Sequence, residues 1–397
     1  MIMKKITTGK ADISLVALLA IWSVSAITSL PGLAISPIMG KLETVFPHAT
    51  DLEIQMLTSL PSLMVIPFLF LSGKLSSGKD KIGILSIGLI IFLLSGISYF
   101  FINSMGGLII ISCILGIGAG IVIPLSTGLI AEYFAGRYRT QQLGISSAIN
   151  NLTLVVATYL TGWLADINWH APFAVYCLPI ISIVLCRFLP KSAPSYTSEN
   201  ANNRHTQTRN KTQKLAGLML LYFFVTYNVL AIPLNLPFVM EQYKMDSDSS
   251  GAVIAIFFLA ITIPGFFITK LLDKMGSAVN WINLLLVAIG LIIIYLSHHI
   301  VIFAIGAVLA GLGYGIIQPL IYDKTSTIST SGNVVMSLAL VMSMNYLAVL
   351  IAPFIIKLFG TILANNSPDL IFVTNGLMVI VAAAVAMAER KSFVLGK

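Results

Sequence analysis

The chain has 397 residues, of which 57% are hydrophobic and only 10% charged, against about 25% charged in an ordinary soluble domain. Its mean hydropathy is +0.95, and no single soluble core buries that much apolar surface behind 23 basic and 15 acidic side chains. A soluble enzyme, a nucleic-acid-binding protein and a disordered chain are therefore set aside, and the net charge of +8 is read as a record of membrane topology rather than of a polyanion partner.

A membrane-spanning helix needs about 20 mostly apolar residues. Twelve such segments follow one another, near 13–36, 52–72, 82–103, 107–131, 143–164, 171–190, 215–237, 249–269, 278–297, 300–322, 332–356 and 369–388. The first follows Lys4, Lys5 and Lys10. Its apolar run is too long for a signal peptide and no small-residue cleavage site follows, so it is expected to stay as the first span. Spans one, four, five, seven, ten and eleven carry polar groups: Trp22, Ser25 and Thr28; Ser112 and Ser126; Asn150 and Asn151; Tyr222, Tyr227 and Asn228; Tyr314 and Gln318; Ser343 and Asn345. Such side chains prefer bundle interiors to lipid. Spans three, nine and twelve are almost uniformly apolar and are expected to face lipid. Between spans six and seven, residues 191–214 are rich in Ser, Thr, Asn and basic residues without an apolar pattern, which predicts a linker. The expected domains are thus a six-helix bundle over 1–190, a linker over 191–214 and a second six-helix bundle over 215–397. Cys113, Cys177 and Cys186 lie in apolar runs with neither metal-ligand spacing nor a disulfide framework.

With the N-terminus on the cytoplasmic side and spans alternating, 20 of the basic residues fall inside and 3 outside (Lys41, Lys244 and Lys357). This positive-inside bias predicts that both termini are cytoplasmic. The same topology puts every acidic residue in a loop or at a span end. A permanent cation calls for a buried carboxylate and a phosphorylated solute for a buried arginine. With neither in mid-membrane, the best-matched substrate is a neutral, zwitterionic or amphipathic small molecule. Glu132, ending span four, and Asp323, ending span ten, are the candidates for proton coupling. Their plain alternative is a solvated helix-end acid near Arg137, Arg139 or Lys324, and sodium coupling or uniport stays open.

The two halves repeat each other. Gly116, Gly118, Gly120, Pro124 and Leu125 are matched without a gap by Gly311, Gly313, Gly315, Pro319 and Leu320, at an offset of 195. Asp80-Lys81-Ile82-Gly83 is echoed by Asp273-Lys274-Met275-Gly276 at 193, and Asn151 by Asn345 at 194. Near-constant offsets over three span pairs imply a parallel duplication of six helices. The six glycines are read first as sites of close helix packing, and Asn151 and Asn345 first as interhelical glue. For Asn228 and Gln318, glue and substrate contact are both carried forward, and the flat faces of Trp22 and the tyrosines suit amphipathic ligands.

On these features the chain resembles the major facilitator superfamily of secondary transporters, over its whole length and most nearly its twelve-span bacterial drug and metabolite exporters. Gly73, Leu75 and Lys81 match the family's cytoplasmic loop motif, G-x-L-a-D-r-x-G-r, with Ser77 in place of its aspartate. Asp273, Lys274 and Gly276 match the motif's core in the second half, and Trp169 and Phe173 resemble the W-r-x-x-F before the sixth span. Ser112 stands where proton-coupled exporters often carry arginine, and Ala157, Thr158, Thr161 and Gly162 stand where the antiporter motif has G-P and G-G. The resemblance implies an all-α fold of two pseudo-symmetric six-helix bundles. It implies a cavity lined by spans one, four, seven and ten, with Trp22, Ser25, Ser112, Tyr227, Asn228, Tyr314 and Gln318 as candidate contacts. It also implies latch loops at Gly73, Asp80 and Lys81 and at Asp273, Lys274 and Gly276. The expected function is alternating-access efflux of a small organic solute, coupled to protons, across a bacterial inner membrane. Uptake of a neutral nutrient and a transport-inactive sensor are the alternatives. No enzymatic activity, cofactor, metal or nucleic-acid partner is expected, and the chain is expected to work as a monomer.

Overall fold

A computed structural model describes residues 5–10, 12–35, 38, 42, 45–49, 51–76, 80–189, 206–243, 245, 247–296, 298–329, 333–362 and 369–389. Residues 191–205 of the expected linker and 77–79 of the first loop lie outside the described residues.

The described chain opens with an antiparallel hairpin, β1 (Lys5–Thr7) and β2 (Asp12–Ser14). Helices follow: α1 (Leu15–Ala26), α2 (Leu30–Leu33), α3 (Asp51–Leu75), α4 (Lys81–Ser98), α5 (Met105–Tyr133), α6 (Gly136–Ile167) and α7 (Pro179–Cys186), the last entered through a 3₁₀ stretch over Ala171–Cys177. After the linker come α8 (Thr206–Gln242), α9 (Ser247–Met275), α10 (Val279–Tyr295), α11 (Ile300–Ile328), α12 (Val334–Ile362) and α13 (Leu370–Ala388).

Nine segments among the described residues are long and apolar enough to cross a membrane. One of them, Gly251–Tyr295, holds two α-helices joined by the three-residue 3₁₀ turn Gly276–Ala278. Two shorter apolar helices, Leu15–Ala26 and Ala171–Cys186, stand at the first and sixth expected positions. Each of the twelve expected positions therefore holds an apolar helix. Helix α8 begins at Thr206, inside the stretch expected to be linker. The polar run Thr206 to Lys214 contains neither glycine nor proline, so nothing local stops the helix from extending beyond its apolar part.

Local chemistry marks the helix starts. Ser14, Asp80 and Ser104 are N-caps, and their side chains accept from the main-chain N of Ala17, Gly83 and Gly107. Exposed apolar residues line up along single faces, Ile87, Ile90, Leu94 and Ile97 on α4 and Leu377, Ile380, Val381 and Val385 on α13. At three- and four-residue spacing these are stripes that water would not tolerate and hydrocarbon does.

The contacts cluster into two compact units: Met1–Gln142 with Ile149–Arg204 and Ser329–Tyr346, and Leu143–Ala148 with His205–Ile328 and Leu347–Lys397. In the first, α3 and α4 pack on α5; in the second, α9 and α10 pack on α11. Every residue of α5 from 118 to 131 is buried. The glycines make these packings close. A Cβ at Gly116 or Gly120 would meet the main-chain oxygens of Pro61 and Val65 on α3, at 2.5 and 2.7 Å, whereas one at Gly118 would meet the main-chain N of Phe92 on α4, at 2.7 Å. In the second unit Gly311 meets Phe257 and Gly315 meets Ile261, both on α9, and Gly313 meets Asn283 on α10. Residues four apart share one helix face and the residue between them lies on the opposite one. Three alternating glycines thus let one helix take two neighbours at backbone distance.

Candidate functional site

Each unit carries a seam of uncharged polar side chains. In the first it runs along α1 and the turn that follows it, from Trp22 through Ser25 to Thr28 and Ser29. Trp22 Nε1 donates to Gln142 Oε1 on α6 at 2.9 Å. The hydroxyls of Ser25 and Ser126 on α5 lie 3.2 Å apart. Thr28 Oγ1 donates to Asn150 Oδ1 at 2.9 Å, and Ser29 Oγ to the Asn150 main-chain oxygen at 3.0 Å.

In the second unit the seam joins α8 to α11. Tyr222 and Thr226, one turn apart on α8, face Tyr314, Gln318 and Tyr322, each one turn apart on α11. The Tyr222 and Tyr322 hydroxyls are 2.6 Å apart and their rings meet edge to face. Gln318 Nε2 donates to Tyr222 at 3.0 Å and to Tyr322 at 3.4 Å. Within the same unit Gln318 Oε1 accepts from Ser147 Oγ at 2.9 Å. The hydroxyls of Thr226 and Tyr314 are 3.3 Å apart. None of these partners is charged. Each seam offers hydroxyls, amides and aromatic faces in apolar surroundings, which suits orienting a small uncharged or charge-balanced molecule.

Of the candidate contacts, Trp22, Ser25, Tyr314 and Gln318 lie on the seams. Three others do not. Ser112 is fully buried and returns its hydroxyl to the Ile109 oxygen of its own helix, at 2.8 Å. Tyr227 sits in an apolar cluster with Ala348 and Ala352. Asn228, fully buried, donates to the Phe224 oxygen at 2.7 Å, and its main-chain oxygen takes Asn375 Nδ2 on α13 at 3.4 Å. The physical reason is helical geometry. Tyr227 and Asn228 follow Thr226 by one and two residues, which turns them about 100° and 200° from the seam. Asn151 and Asn345 are both half-buried. Gln142, Thr226 and Tyr322 complete the seams and are not among the candidates drawn from the sequence. The fourfold spacing of polar residues in apolar helices, 222–226 and 314–318–322, was the available signal.

The two latch sequences adopt different local structures. Asp80 caps α4 by accepting from Gly83 N at 3.0 Å, so Gly83 is helical. In the second half Asp273 and Lys274 are exposed in the last turn of α9, and Gly276 ends that helix at φ 54°, a left-handed conformation that glycine adopts without penalty. A Cβ at Gly73 would lie 2.9 Å from Met336 Cα, a contact within the first unit. Lys81, at the first position of α4, forms an ion pair with Glu132 near the end of α5, with both side chains less than one-fifth exposed. Asp323 is half-buried, and its main-chain oxygen accepts from Thr327 Oγ1 at 2.8 Å. No group of three or more His, Cys, Asp or Glu that could hold a metal occurs among the described residues.

Apolar helices with glycine-tight crossings, repeated in two units that each carry a neutral polar seam, define a polytopic membrane protein of the transporter type. The family model described as Major Facilitator Superfamily matches residues 13–353 and also 218–392, and the chain belongs to that family. The chain is similar to the multidrug transporter protein MdtP of Bacillus subtilis (strain 168), 28% identical over 203 residues, which cover 51% of this chain and 34% of that protein. It is also similar to the quinolone resistance protein NorA of Staphylococcus aureus, 31% identical over 142 residues, covering 34% of this chain and 36% of NorA. The matched part thus spans about a third of these curated relatives. Among solved structures, the proton:xylose symporter XylE aligns over 94% of this chain and 95% of its own, with a TM-score of 0.74 and 15% identity. The human organic anion transporter MFSD10 aligns over 93% and 97%, with a TM-score of 0.70 and 16% identity. At such identities the structural likeness concerns the fold.

Proposed function

We propose that the chain is a secondary transporter that exports a small zwitterionic, neutral or amphipathic organic solute by alternating access, driven by the proton gradient. The observation that carries the reading is the pair of polar seams: the side-chain hydrogen bonds described above for them join hydroxyl, amide or indole groups. Efflux rather than uptake is supported by the likeness to MdtP and NorA, a multidrug transporter and a quinolone resistance protein. The two six-helix bundles, 1–190 and 215–397, are the bodies proposed to move, with 191–214 as linker and both termini in the cytoplasm. The loops at Gly73, Asp80 and Lys81 and at Asp273, Lys274 and Gly276 close the cytoplasmic side, and Glu132 or Asp323 takes up the coupling proton.

The test is transport of norfloxacin, a zwitterionic fluorescent quinolone, in proteoliposomes with and without an imposed pH gradient. Gradient-driven movement that Gln318→Leu weakens is the expected result. No movement of norfloxacin, with movement of a neutral monosaccharide instead, overturns efflux in favour of uptake. Movement indifferent to the gradient, to Glu132→Gln and to Asp323→Asn overturns proton coupling.

A further inference from the structure

The hairpin β1–β2 lies outside the apolar helices, yet it is built into the end of α5. Its turn passes through Gly9 at φ 79°, and Lys10 N donates to Thr8 Oγ1 at 3.2 Å. Thr8 is fully buried, and its main-chain oxygen accepts from Ala135 N at 2.9 Å. Gly9 is pressed so closely onto the α5–α6 turn that a Cβ there would lie 3.1 Å from the Ala135 oxygen and from the Tyr138 ring. From this seat Lys10 Nζ reaches the last turn of α5, donating to the main-chain oxygen of Glu132 at 2.6 Å and of Ala131 at 3.4 Å. A cation suits those oxygens, which end a helix and carry the negative pole of its dipole. Burial, and then the nearby Arg139 charge, hold this ammonium below the usual lysine value.

Glu132 is therefore gripped twice, through different atoms. Lys10 holds its main-chain oxygen, and Lys81 holds its carboxylate. We propose that Lys10 is a positioning residue: by fixing the last turn of α5 it keeps the Glu132 carboxylate in reach of Lys81, and so makes the hairpin a working part of the latch that leads into α4. The transport consequence rests on the function proposed above; the positional claim does not.

The experiment is a double-substitution cycle on the full chain, read two ways. In proteoliposomes with norfloxacin as probe, Lys10→Ala lowers turnover about threefold or more with KM unchanged, because the contacts described for Lys10 run to Thr8 and the end of α5 rather than to the seam residues. Lys10→Arg, which keeps the charge and the donors, restores turnover. In a Lys81→Ala background, Lys10→Ala has little further effect. The same cycle is read in the melting temperature of the purified protein, where the drop caused by Lys10→Ala shrinks once Lys81 is gone. Equal losses in both backgrounds, or a raised KM with unchanged turnover, overturn the proposal and leave the hairpin as packing alone. If the unsubstituted chain moves no norfloxacin, the transport reading has failed, and the melting cycle decides the positional claim alone.

Discussion

Tyr222 and Tyr322 share a hydroxyl–hydroxyl hydrogen bond of 2.6 Å, and Gln318 donates to both, at 3.0 and 3.4 Å. The two tyrosines are thus unequal in the seam. Tyr222→Phe leaves Gln318 only the longer contact, whereas Tyr322→Phe leaves it the shorter one. A buried donor stripped of its partner costs about 1–3 kcal/mol, and a simple hydrogen bond about 1 kcal/mol. Thermal unfolding of the purified protein is expected to rank Tyr222→Phe as the more destabilising. Equal shifts, or the reverse order, contradict the asymmetry.

The alternating glycines make a sharper contrast. Gly118→Val forces a branched side chain onto the Phe92 backbone, whereas Gly106 and Gly162 have nothing within 4 Å of an added Cβ. Overpacking costs about 1–3 kcal/mol, and Gly→Ala in a helix returns about 0.5–1 kcal/mol where space allows. Membrane yield and melting temperature should fall for Gly118→Val and stay level or rise for Gly106→Ala. A well-behaved Gly118→Val protein contradicts the backbone-distance crossing.

Lys81 and Glu132 are a largely buried pair, with side chains 18% and 16% exposed. Removing one partner leaves the other charge half-desolvated, so either Glu132→Gln or Lys81→Gln is expected to destabilise by about 1–3 kcal/mol, with the double substitution costing less than the sum. Additive melting shifts would show that the two charges do not meet.

Asn228 and Asn375 test which polar groups face the solute. The side-chain oxygens of both are buried without a hydrogen-bond partner among the described residues, and Asn375 donates only across 3.4 Å. Asn375→Leu should change stability by less than about 1 kcal/mol, because membrane interhelical hydrogen bonds average about 0.6 kcal/mol and an orphaned oxygen is removed with this one. Norfloxacin KM should be unchanged by Asn228→Leu and raised severalfold by Gln318→Leu. A raised KM for Asn228→Leu alone moves the binding surface off the seam.

These residues show what the sequence could and could not reveal. Apolar length marked the helix positions, because hydrocarbon admits few alternatives to a helix. The duplicated glycines stood in the sequence at near-constant offsets, and their contacts with α3 and α4 are repeated on α9 and α10. The facing of individual polar residues was harder to read. Tyr227 and Asn228 lie within two residues of Thr226, and in a helix apolar on all sides no hydrophobic stripe marks which face turns inward. Gln142 stands just before the apolar run of its span, so polarity alone does not mark it, although it takes the Trp22 indole N–H. The hairpin left no apolar signature, since its partners are main-chain oxygens at the end of a helix far along the chain.

The glycines of α5 also restrict how that helix can travel. Gly116 and Gly120 touch one neighbour and Gly118 another, while Ile117, Ala119 and Ile121 between and beyond them carry side chains. A screw displacement of one residue, about 1.5 Å along the axis with a turn of about 100°, would bring one of those side chains against backbone that now meets bare Cα atoms. Turning the helix within its two crossings is thus blocked at the first residue. The glycines key α5 to α3 and α4 as a splined shaft is keyed to its hub.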